Sequence, residues 1–268
     1  MNLFATFMLV FPLGAEVLYE DKITEAKEHF YQEQYQEAER LVFEARTIEP
    51  ADPESYELRT TIILFRLKQV TGIDGDRQGN RKNTRELLAS CPVCPELLRQ
   101  FDNDGAEGTR LARQLLVNRS GDERAMFLLA RMDLNKLWLN LQVLDKREGL
   151  REYREARNLL GLVLAQNPDH VRALTASAWI NYIVGGRNFL VRAILGGGSK
   201  KEALNQLRQA VSCLECDFFD RTEARFSLLD ILKQEKHFAE ASVLAEELRV
   251  RFPRNTSFVS LIRPATLP

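Results

Sequence analysis

Two Cys-x-x-Cys pairs are the residues whose spacing most suggests chemistry: Cys91 with Cys94, and Cys213 with Cys216. Four thiolates at paired spacing could hold a zinc ion in tetrahedral geometry. In an exported protein the same thiols would oxidise, and four cysteines allow three disulfide connectivities. Four unpaired thiols are a further alternative. Because the pairs fall in different predicted hairpins with several helices between them, we predict two local disulfides.

Catalytic chemistry has weaker candidates. Pro95 begins a predicted helix whose amide end would favour a thiolate at Cys94, but the alternating strand and helix context of thioredoxin-like enzymes is absent. The histidines His29, His170 and His237 lie in or beside repeats, and none belongs to a helical metal-binding pair. Packing or helix capping explains them better. We therefore predict that the chain is not an enzyme and has no cofactor and no bound metal.

The glycine-rich segment from Gly196 to Lys200 superficially resembles a phosphate-binding loop. It lacks the GxxxxGK[ST] order, and no predicted strand precedes it. Its amides could still bind an anion at the start of the following helix. The alternative is a plain connector between helices.

A fifteen-residue pattern explains how the chain is built. An aromatic residue is followed at fixed steps of three and four by an alanine and two small or aliphatic residues, and a proline closes the copy. The copies run from Tyr35 to Pro50, from Tyr153 to Pro168 and from Phe238 to Pro253. These steps put the apolar residues on one helical face, and the proline ends the helix. A frayed fourth copy contains Ala203, Leu207 and Ala210.

This spacing resembles that of the second helix of a tetratricopeptide repeat. The preceding helices fit the family's packing positions in two places, at Ala26 and Phe30 and at Leu228, Leu229 and Leu232. Leu174 and Ala178 open another first helix in register. The order of segments from Asp133 to Asn255 also resembles divergent exported bacterial proteins of this family. The resemblance implies an all-α solenoid of irregular TPR-like hairpins, because one hairpin cannot bury its apolar stripe alone. It implies little about function.

The family binds its partners in the concave groove formed by the first helices. The resemblance therefore implies a protein or peptide partner, and it places these residues in the groove: Lys27, Tyr31, Glu57, Thr61, Arg172, Thr175, Trp179, Tyr182, Phe226, Asp230 and Lys233. Trp and Tyr are favoured anchors in binding sites, because they bury a large area at a small entropic cost. Ordinary helix packing is the alternative for Trp179 and Tyr182.

Composition limits the classes of partner. The chain has 268 residues, a net charge of −1, 45% hydrophobic residues and 28% charged residues, which is ordinary for a soluble protein. The small net charge argues against nucleic acid or an anionic membrane as the main partner. No run of eighteen apolar residues occurs, which excludes a membrane-spanning helix.

The N-terminus suggests export. Residues Leu3 to Leu13 are almost wholly apolar and are followed by Gly14-Ala15-Glu16, which is typical of a signal peptide cleaved after Ala15. We expect a signal peptide over residues 1–15 and one solenoid domain over residues 16–268, located in the bacterial periplasm or envelope. The alternative is an amphipathic first helix packed on the solenoid of a cytoplasmic protein.

Two other functions compete with a protein-binding scaffold. The chain could be a transport accessory that presents a small molecule or docks on a solute-binding protein. An enclosed pocket lined by Trp179 would favour that function. It could instead be a zinc or thiol protein, which would require both cysteine pairs to meet at one metal.

Several helix boundaries can also be predicted. We expect a helix from Asp52 to Gly72, then a polar loop over Ile73–Asn83. The pattern further predicts short helices at Thr84–Ser90, Glu96–Phe101 and Ala106–Val117, a long helix at Asp122–Val143, a short apolar insert at Asn188–Leu195 and a last hairpin at Arg221–Phe252.

Overall fold

The computed structural model describes residues 13–72 and 84–256, and these residues form helices and turns without a strand. The helices are α1 (Leu13–Tyr31), α2 (Tyr35–Ile48), α3 (Pro53–Thr71), α4 (Thr84–Ser90), α5 (Cys94–Asn118), α6 (Glu123–Trp138), α7 (Leu150–Gln166), α8 (Val171–Gly185), α9 (Phe189–Ile194), α10 (Lys200–Ser212), α11 (Phe218–Gln234) and α12 (Phe238–Arg251). A π-helical turn, Leu139–Val143, continues α6. The all-α prediction is confirmed, and none of the described helices is long and apolar enough to cross a membrane.

Ten of the described helices pair into five hairpins. The first helices are α1, α3, α6, α8 and α11, and their respective second helices are α2, α5, α7, α10 and α12. Each hydrophobic cluster joins one hairpin to the next: one contains α1, α2 and α3, another α6, α7 and α8, and a third α8, α10, α11 and α12. The hairpins therefore stack as a solenoid, because each buries its apolar stripe against its neighbours.

The alanines of the repeated pattern are fully buried, which confirms the predicted packing face of the second helices. Ala38, Ala156 and Ala241 have no exposed surface, and neither does Ala203 of the frayed copy. The aromatic residues that open the copies differ: Tyr153 is buried, whereas Phe238 is largely exposed. The small residue is thus the constant part of the pattern, because it lies where a neighbouring helix approaches closely.

Helix α3 begins and ends where the sequence predicts. Asp52 Oδ1 accepts a hydrogen bond of 2.8 Å from the backbone N–H of Glu54, which caps the helix, and Pro53 stands in its first turn. Gly72 ends it with φ at +64°, a left-handed conformation that glycine adopts at little cost. The predicted loop Ile73–Asn83 lies outside the described residues.

The two helices predicted at Glu96–Phe101 and Ala106–Val117 are one continuous helix, α5. The continuous helix contains Gly105, and a glycine inside a helix costs about 1 kcal/mol relative to alanine. Tertiary contacts offset that cost: Asp104 accepts hydrogen bonds of 3.0 Å from Arg46 and 2.7 Å from Arg59. The boundary prediction was wrong because both arginines are distant in sequence.

The first and last hairpins contact each other. The Tyr31 ring, at the end of α1, stacks on Phe226 with centroids 5.1 Å apart and packs against Phe252 at 5.5 Å. Nearby, Arg251 donates a hydrogen bond of 2.8 Å to Glu28, and Asn255 donates one of 2.9 Å to the carbonyl of Tyr31. The array therefore curls until α1 meets α11, which brings all five first helices around one interior.

The N-terminal prediction lies mostly outside the described part of the chain. Residues 1–12 are not described, and α1 begins at Leu13. The predicted cleavage point after Ala15 therefore falls in the first turn of α1. Export remains a prediction.

Candidate functional site

Nine charged side chains from the five first helices and the cap of α3 form a connected set of ion pairs, which we call the inner cluster. Five of its members are carboxylates: Asp52, Glu54, Glu57, Asp220 and Glu223. Four are cations: Lys27, Arg124, Arg131 and Arg172. Every first helix contributes at least one side chain, so the stacking of the hairpins assembles the cluster.

Glu57 on α3 lies at the centre of the inner cluster, with 1% of its side chain exposed. One carboxylate oxygen accepts hydrogen bonds from Arg131 Nε at 3.2 Å and Thr61 Oγ1 at 2.9 Å, and the other accepts from Arg172 Nη2 at 3.0 Å. Burial alone would raise the pKa of Glu57, but the two guanidinium groups hold that pKa below its usual value. Glu57 is therefore ionised and paired within the chain.

Arg172 on α8 connects α3 to α11. Besides its hydrogen bond to Glu57, its guanidinium lies 3.6 Å from Glu54 and 3.6–3.7 Å from Glu223 and Asp220. The same group lies 4.6 Å from the centre of the Phe127 ring, within the range of a cation–π contact. Although burial opposes its charge, the surrounding carboxylates raise the pKa of Arg172 above its usual value. Arg172 thus lies near four carboxylates, and only Glu57 is at hydrogen-bonding distance.

Two further sets of pairs complete the inner cluster. Lys27 Nζ lies 3.1 Å from Glu54, and Arg124 lies 2.8 Å from both Glu54 and Asp52. Burial opposes the ionisation of Glu54, but these cations lower its pKa well below the usual value. Arg131 Nη1 lies 2.7 Å from the Glu223 carboxylate, and this ion pair connects α6 to α11.

The carboxylates of the inner cluster outnumber its cations by one, and the imbalance is concentrated on α11. Burial raises the pKa of Asp220 to about 6, even though Arg172 and Lys27 lower it. Its nearest cation in the cluster, Arg172, is 3.7 Å away, beyond hydrogen-bonding distance. Asp220 and Glu223 are also its most exposed carboxylates, with 26% and 20% of their side chains accessible. Negative charge therefore lies at the accessible edge of the cluster.

The structure places the predicted groove residues in four different settings. Lys27, Glu57 and Arg172 belong to the inner cluster and pair within the chain, and Tyr31 belongs to the aromatic contact between the first and last hairpins. Thr61 and Thr175 are buried. The remaining predicted residues, Trp179, Tyr182, Asp230 and Lys233, lie on α8 and α11, as does Phe226, which stacks on Tyr31. Their role in partner binding stays a prediction.

Trp179 and Tyr182 form an edge-to-face pair with ring centroids 6.2 Å apart. Tyr182 is buried, and its hydroxyl donates a hydrogen bond of 2.7 Å to Glu235. Trp179 is only partly buried against the cluster of apolar residues between α8, α10, α11 and α12. Tyr182 therefore has the packing role that the sequence leaves open, while part of the Trp179 ring is accessible.

Sequence reasoning missed five members of the inner cluster besides Asp52: Glu54, Arg124, Arg131, Asp220 and Glu223. Their spacing carries a usable signal, because Asp220 and Glu223 are three residues apart and Arg124 and Arg131 are seven apart. Both spacings place the two side chains on one face of a helix. Charged pairs on one face of two different first helices indicate a shared polar interior.

The cysteines form two local disulfides, Cys91 with Cys94 and Cys213 with Cys216, with Cα atoms 5.4 and 5.7 Å apart. The first pair is buried in the cluster between α3 and α5, whereas the second packs partly buried near α10 and α11. The four sulfurs therefore do not meet at one zinc ion. Among the described residues, no group of three or more His, Cys, Asp or Glu side chains is arranged to hold a metal.

The remaining chemical candidates have structural contacts. His170 Nδ1 accepts a hydrogen bond of 3.2 Å from the backbone N–H of Ala173 and so caps α8, and His29 Nδ1 lies 2.8 Å from Gln34 Oε1. In the glycine-rich segment, Arg157 donates hydrogen bonds to the carbonyls of Gly196 and Gly197 at 2.6 and 2.9 Å. These contacts fit the capping and connector interpretations.

Comparison with protein-family models and with curated proteins finds no match. Among solved structures, a crystal structure of a thermophilic TPR protein from Thermus thermophilus is similar. It is 14% identical in sequence, the match covers 91% of this chain and 98% of that chain, and the TM-score is 0.47. A likeness of this degree carries no inference about partners or activity.

Proposed function

We propose that the protein is a non-catalytic scaffold that binds a protein or peptide, and that the partner places a basic side chain against Asp220 and Glu223. The proposal rests mainly on the excess negative charge of Asp220 and Glu223 at the accessible edge of the inner cluster. A lysine or arginine from a partner would supply the missing cation. It would approach between α8 and α11, the helices that carry most of the groove residues predicted from the sequence.

The inner cluster is better explained by recognition than by stability. Apolar side chains would hold the first helices together at least as well, because the desolvation of buried ion pairs offsets most of their mutual attraction. Its carboxylates and cations are instead arranged around one interior to which all five hairpins contribute. A binding surface that depends on several hairpins is specific to the folded array.

Trp179 supports the same location for the partner. It lies seven residues, or two helical turns, beyond Arg172 on the same face of α8, a distance of about 10 Å at the usual helical rise. The accessible part of its ring can contact the apolar stem of a basic side chain or a neighbouring residue of the peptide. Charged recognition at Asp220 and apolar contact at Trp179 would together fix the direction of an extended segment.

Selection from a random peptide library on the immobilised protein tests this proposal. The wild type should enrich peptides with lysine or arginine, and Asp220→Asn together with Glu223→Gln should abolish that enrichment. The control is Glu246→Gln, which removes an exposed carboxylate of α12 paired with Arg249. The proposal is wrong if basic residues are not enriched, or if they are enriched equally on the charge-neutralised variant.

A location in the cell envelope is part of the proposal. Disulfides persist in oxidising compartments such as the periplasm, and both cysteine pairs have the geometry of local disulfides. The apolar N-terminal segment is the second support. Intact mass analysis of protein isolated from its host tests the location, because an exported chain should begin at Glu16.

A further inference from the structure

Helix α9 exposes three large apolar side chains. Phe189, Leu190 and Ile194 have 79%, 72% and 67% of their surface accessible, and no residue of α9 is buried. The helix lies between α8 and α10, within a single hairpin, where it interrupts the repeated pattern. Packing inside the described chain therefore does not account for its apolar residues.

Helix α9 is attached to the rest of the chain at its C-terminal end. Asn188 caps the helix by accepting a hydrogen bond of 3.0 Å from the N–H of Val191. At the other end, the carbonyl of Leu195 accepts hydrogen bonds from the Tyr153 hydroxyl at 2.7 Å and from Arg157 at 3.1 Å. Leu195 also packs on the core formed by α6, α7 and α8. The Asn188 cap is local to α9, whereas Leu195 anchors the C-terminal end of the helix to the core, and the apolar side chains of α9 stay exposed.

The surface around α9 is basic. From Arg187 to Lys201 the chain contains four basic residues and no Asp or Glu, and one of the four, Lys200, pairs with Glu235 at 2.6 Å. A surface recess of about 420 Å³ joins Arg187 to Lys146 and Arg147, with Asp145 as its acidic member. A second recess, also about 420 Å³, lies between α7 and α9 and is lined by Arg154 and Arg157 beside Leu162 and Ile194. Neither recess contains Trp179.

We propose that α9 docks the protein on an anionic lipid surface. The apolar side chains of interfacial helices enter the boundary between headgroups and acyl chains, while lysines and arginines interact with the anionic headgroups. The combination of three outward apolar residues with a basic surround fits that chemistry. The overall charge of −1 is not an obstacle, because charges beyond about 10 Å are largely screened at physiological salt.

An apolar partner protein fits these observations less well. A partner helix needs a groove of apolar side chains, whereas α9 presents its own side chains outward. The basic residues would also gain little from an uncharged partner surface. A lipid surface satisfies the apolar helix and its basic surround together. This proposal is independent of the binding of a basic partner at the inner cluster.

Co-sedimentation of the full chain with lipid vesicles tests the docking. The wild type should bind vesicles of phosphatidylcholine and phosphatidylglycerol in equal parts, and it should not bind vesicles of phosphatidylcholine alone. The triple variant Phe189→Ser, Leu190→Ser, Ile194→Ser should bind at least about tenfold more weakly, because it loses the inserted apolar area. Its fold should be retained, since no residue of α9 is buried.

Two matched controls isolate the roles of position and charge. The variant Val117→Ser, Leu214→Ser, Val250→Ser removes three similarly exposed apolar residues from other parts of the chain (84%, 83% and 71% exposed) and should bind as the wild type does. Replacing Arg147 and Arg187 with alanine should weaken binding by about fivefold for each arginine. The same replacement of Arg99 and Arg110, which are exposed on α5, should have little effect.

Three results would overturn the proposal. The first is equal binding to neutral and anionic vesicles, and the second is unchanged binding by the α9 triple variant. The third is that the wild type does not bind vesicles but self-associates, and that the α9 triple variant does not self-associate. That last result would assign α9 to contact with a second copy of the chain, and analytical ultracentrifugation would detect it.

Discussion

Arg172 and Glu57, which are 115 residues apart in sequence, form a hydrogen bond of 3.0 Å in the interior of the array. Arg172 belongs to the fourth hairpin and Glu57 to the second, while Arg131 of the third hairpin pairs with the same carboxylate at 3.2 Å. The buried carboxylate of Glu57 therefore connects the second, third and fourth hairpins. This arrangement makes the inner cluster the feature that couples the repeats to one another.

Removal of the Glu57 charge should destabilise the whole array. In Glu57→Gln, Arg131 and Arg172 lose their shared counter-charge, and breaking a buried pair in this way typically costs about 3–5 kcal/mol. Urea unfolding followed by circular dichroism measures the change. The control Glu246→Gln removes an exposed carboxylate paired with Arg249 and should leave the urea midpoint nearly unchanged. Equal effects of the two substitutions would contradict the central role of Glu57.

Substitution of alanine by leucine should affect stability differently on the buried and the exposed face of α7. Ala156 is fully buried where a neighbouring helix approaches, so Ala156→Leu should lower the free energy of unfolding by about 1–3 kcal/mol. Ala165 lies on the same helix and is exposed. Ala165→Leu should therefore stay within about 0.5 kcal/mol of the wild type. Identical urea midpoints for both variants would refute the assignment of the faces.

Asp220 should make stability depend on pH. Its pKa is raised from 3.8 to about 6, so its contribution to stability is complete below pH 3.8 and is lost as the pH rises through 6. Between pH 4 and 7.5, the stability of the wild type relative to Asp220→Asn should fall by up to about 3 kcal/mol. The groups that face Asp220, namely Arg172, Lys27, Asp217 and Glu223, are present in both proteins. A constant difference across this range would show that the carboxyl is not perturbed.

The carboxylates with lowered pKa act in the opposite direction. Glu54 and Glu57 contribute stability above their usual pKa of 4.5, and that contribution is lost as the pH falls. Because both residues remain in Asp220→Asn, the comparison of the two proteins cancels their effect. Urea midpoints measured at each pH for the wild type and the variant are sufficient for this test.

The two disulfides should differ in their importance for stability. Each closes a loop so short that the entropy model gives only about 2 kcal/mol. Cys91 and Cys94 are buried with Leu97 and Phe101, whereas Cys213 and Cys216 are partly accessible. Replacing the first pair with alanine should therefore lower the free energy of unfolding more than replacing the second. Non-reducing peptide mapping checks the connectivity, and a peptide that links the two pairs would disprove it.

Export predicts a defined mature N-terminus. If residues 1–15 are a signal peptide, intact mass analysis of protein from its host should find Glu16 as the first residue. A chain that retains Met1 would contradict export. It would also remove one of the two supports for an envelope location.

The local features of the fold were predictable from the sequence, whereas the inner cluster was not. The alanine spacing identified the buried faces of the second helices, and Asp52 and Gly72 marked the ends of α3, because these signals act within one helix. The continuity of α5 depends on Arg46 and Arg59 pairing with Asp104. The interior likewise depends on α1 meeting α11 through Tyr31. Such contacts join residues far apart in sequence, and periodicity does not report them.

The most direct test of the proposed function is the affinity of a selected arginine-containing peptide for the wild type and for Asp220→Asn, measured by titration calorimetry between pH 5 and 7.5. Because the pKa of Asp220 is about 6, the wild type should bind about tenfold more tightly at pH 7.5 than at pH 5. Asp220→Asn should bind weakly at both. An affinity that is independent of pH and unchanged in Asp220→Asn would contradict the account.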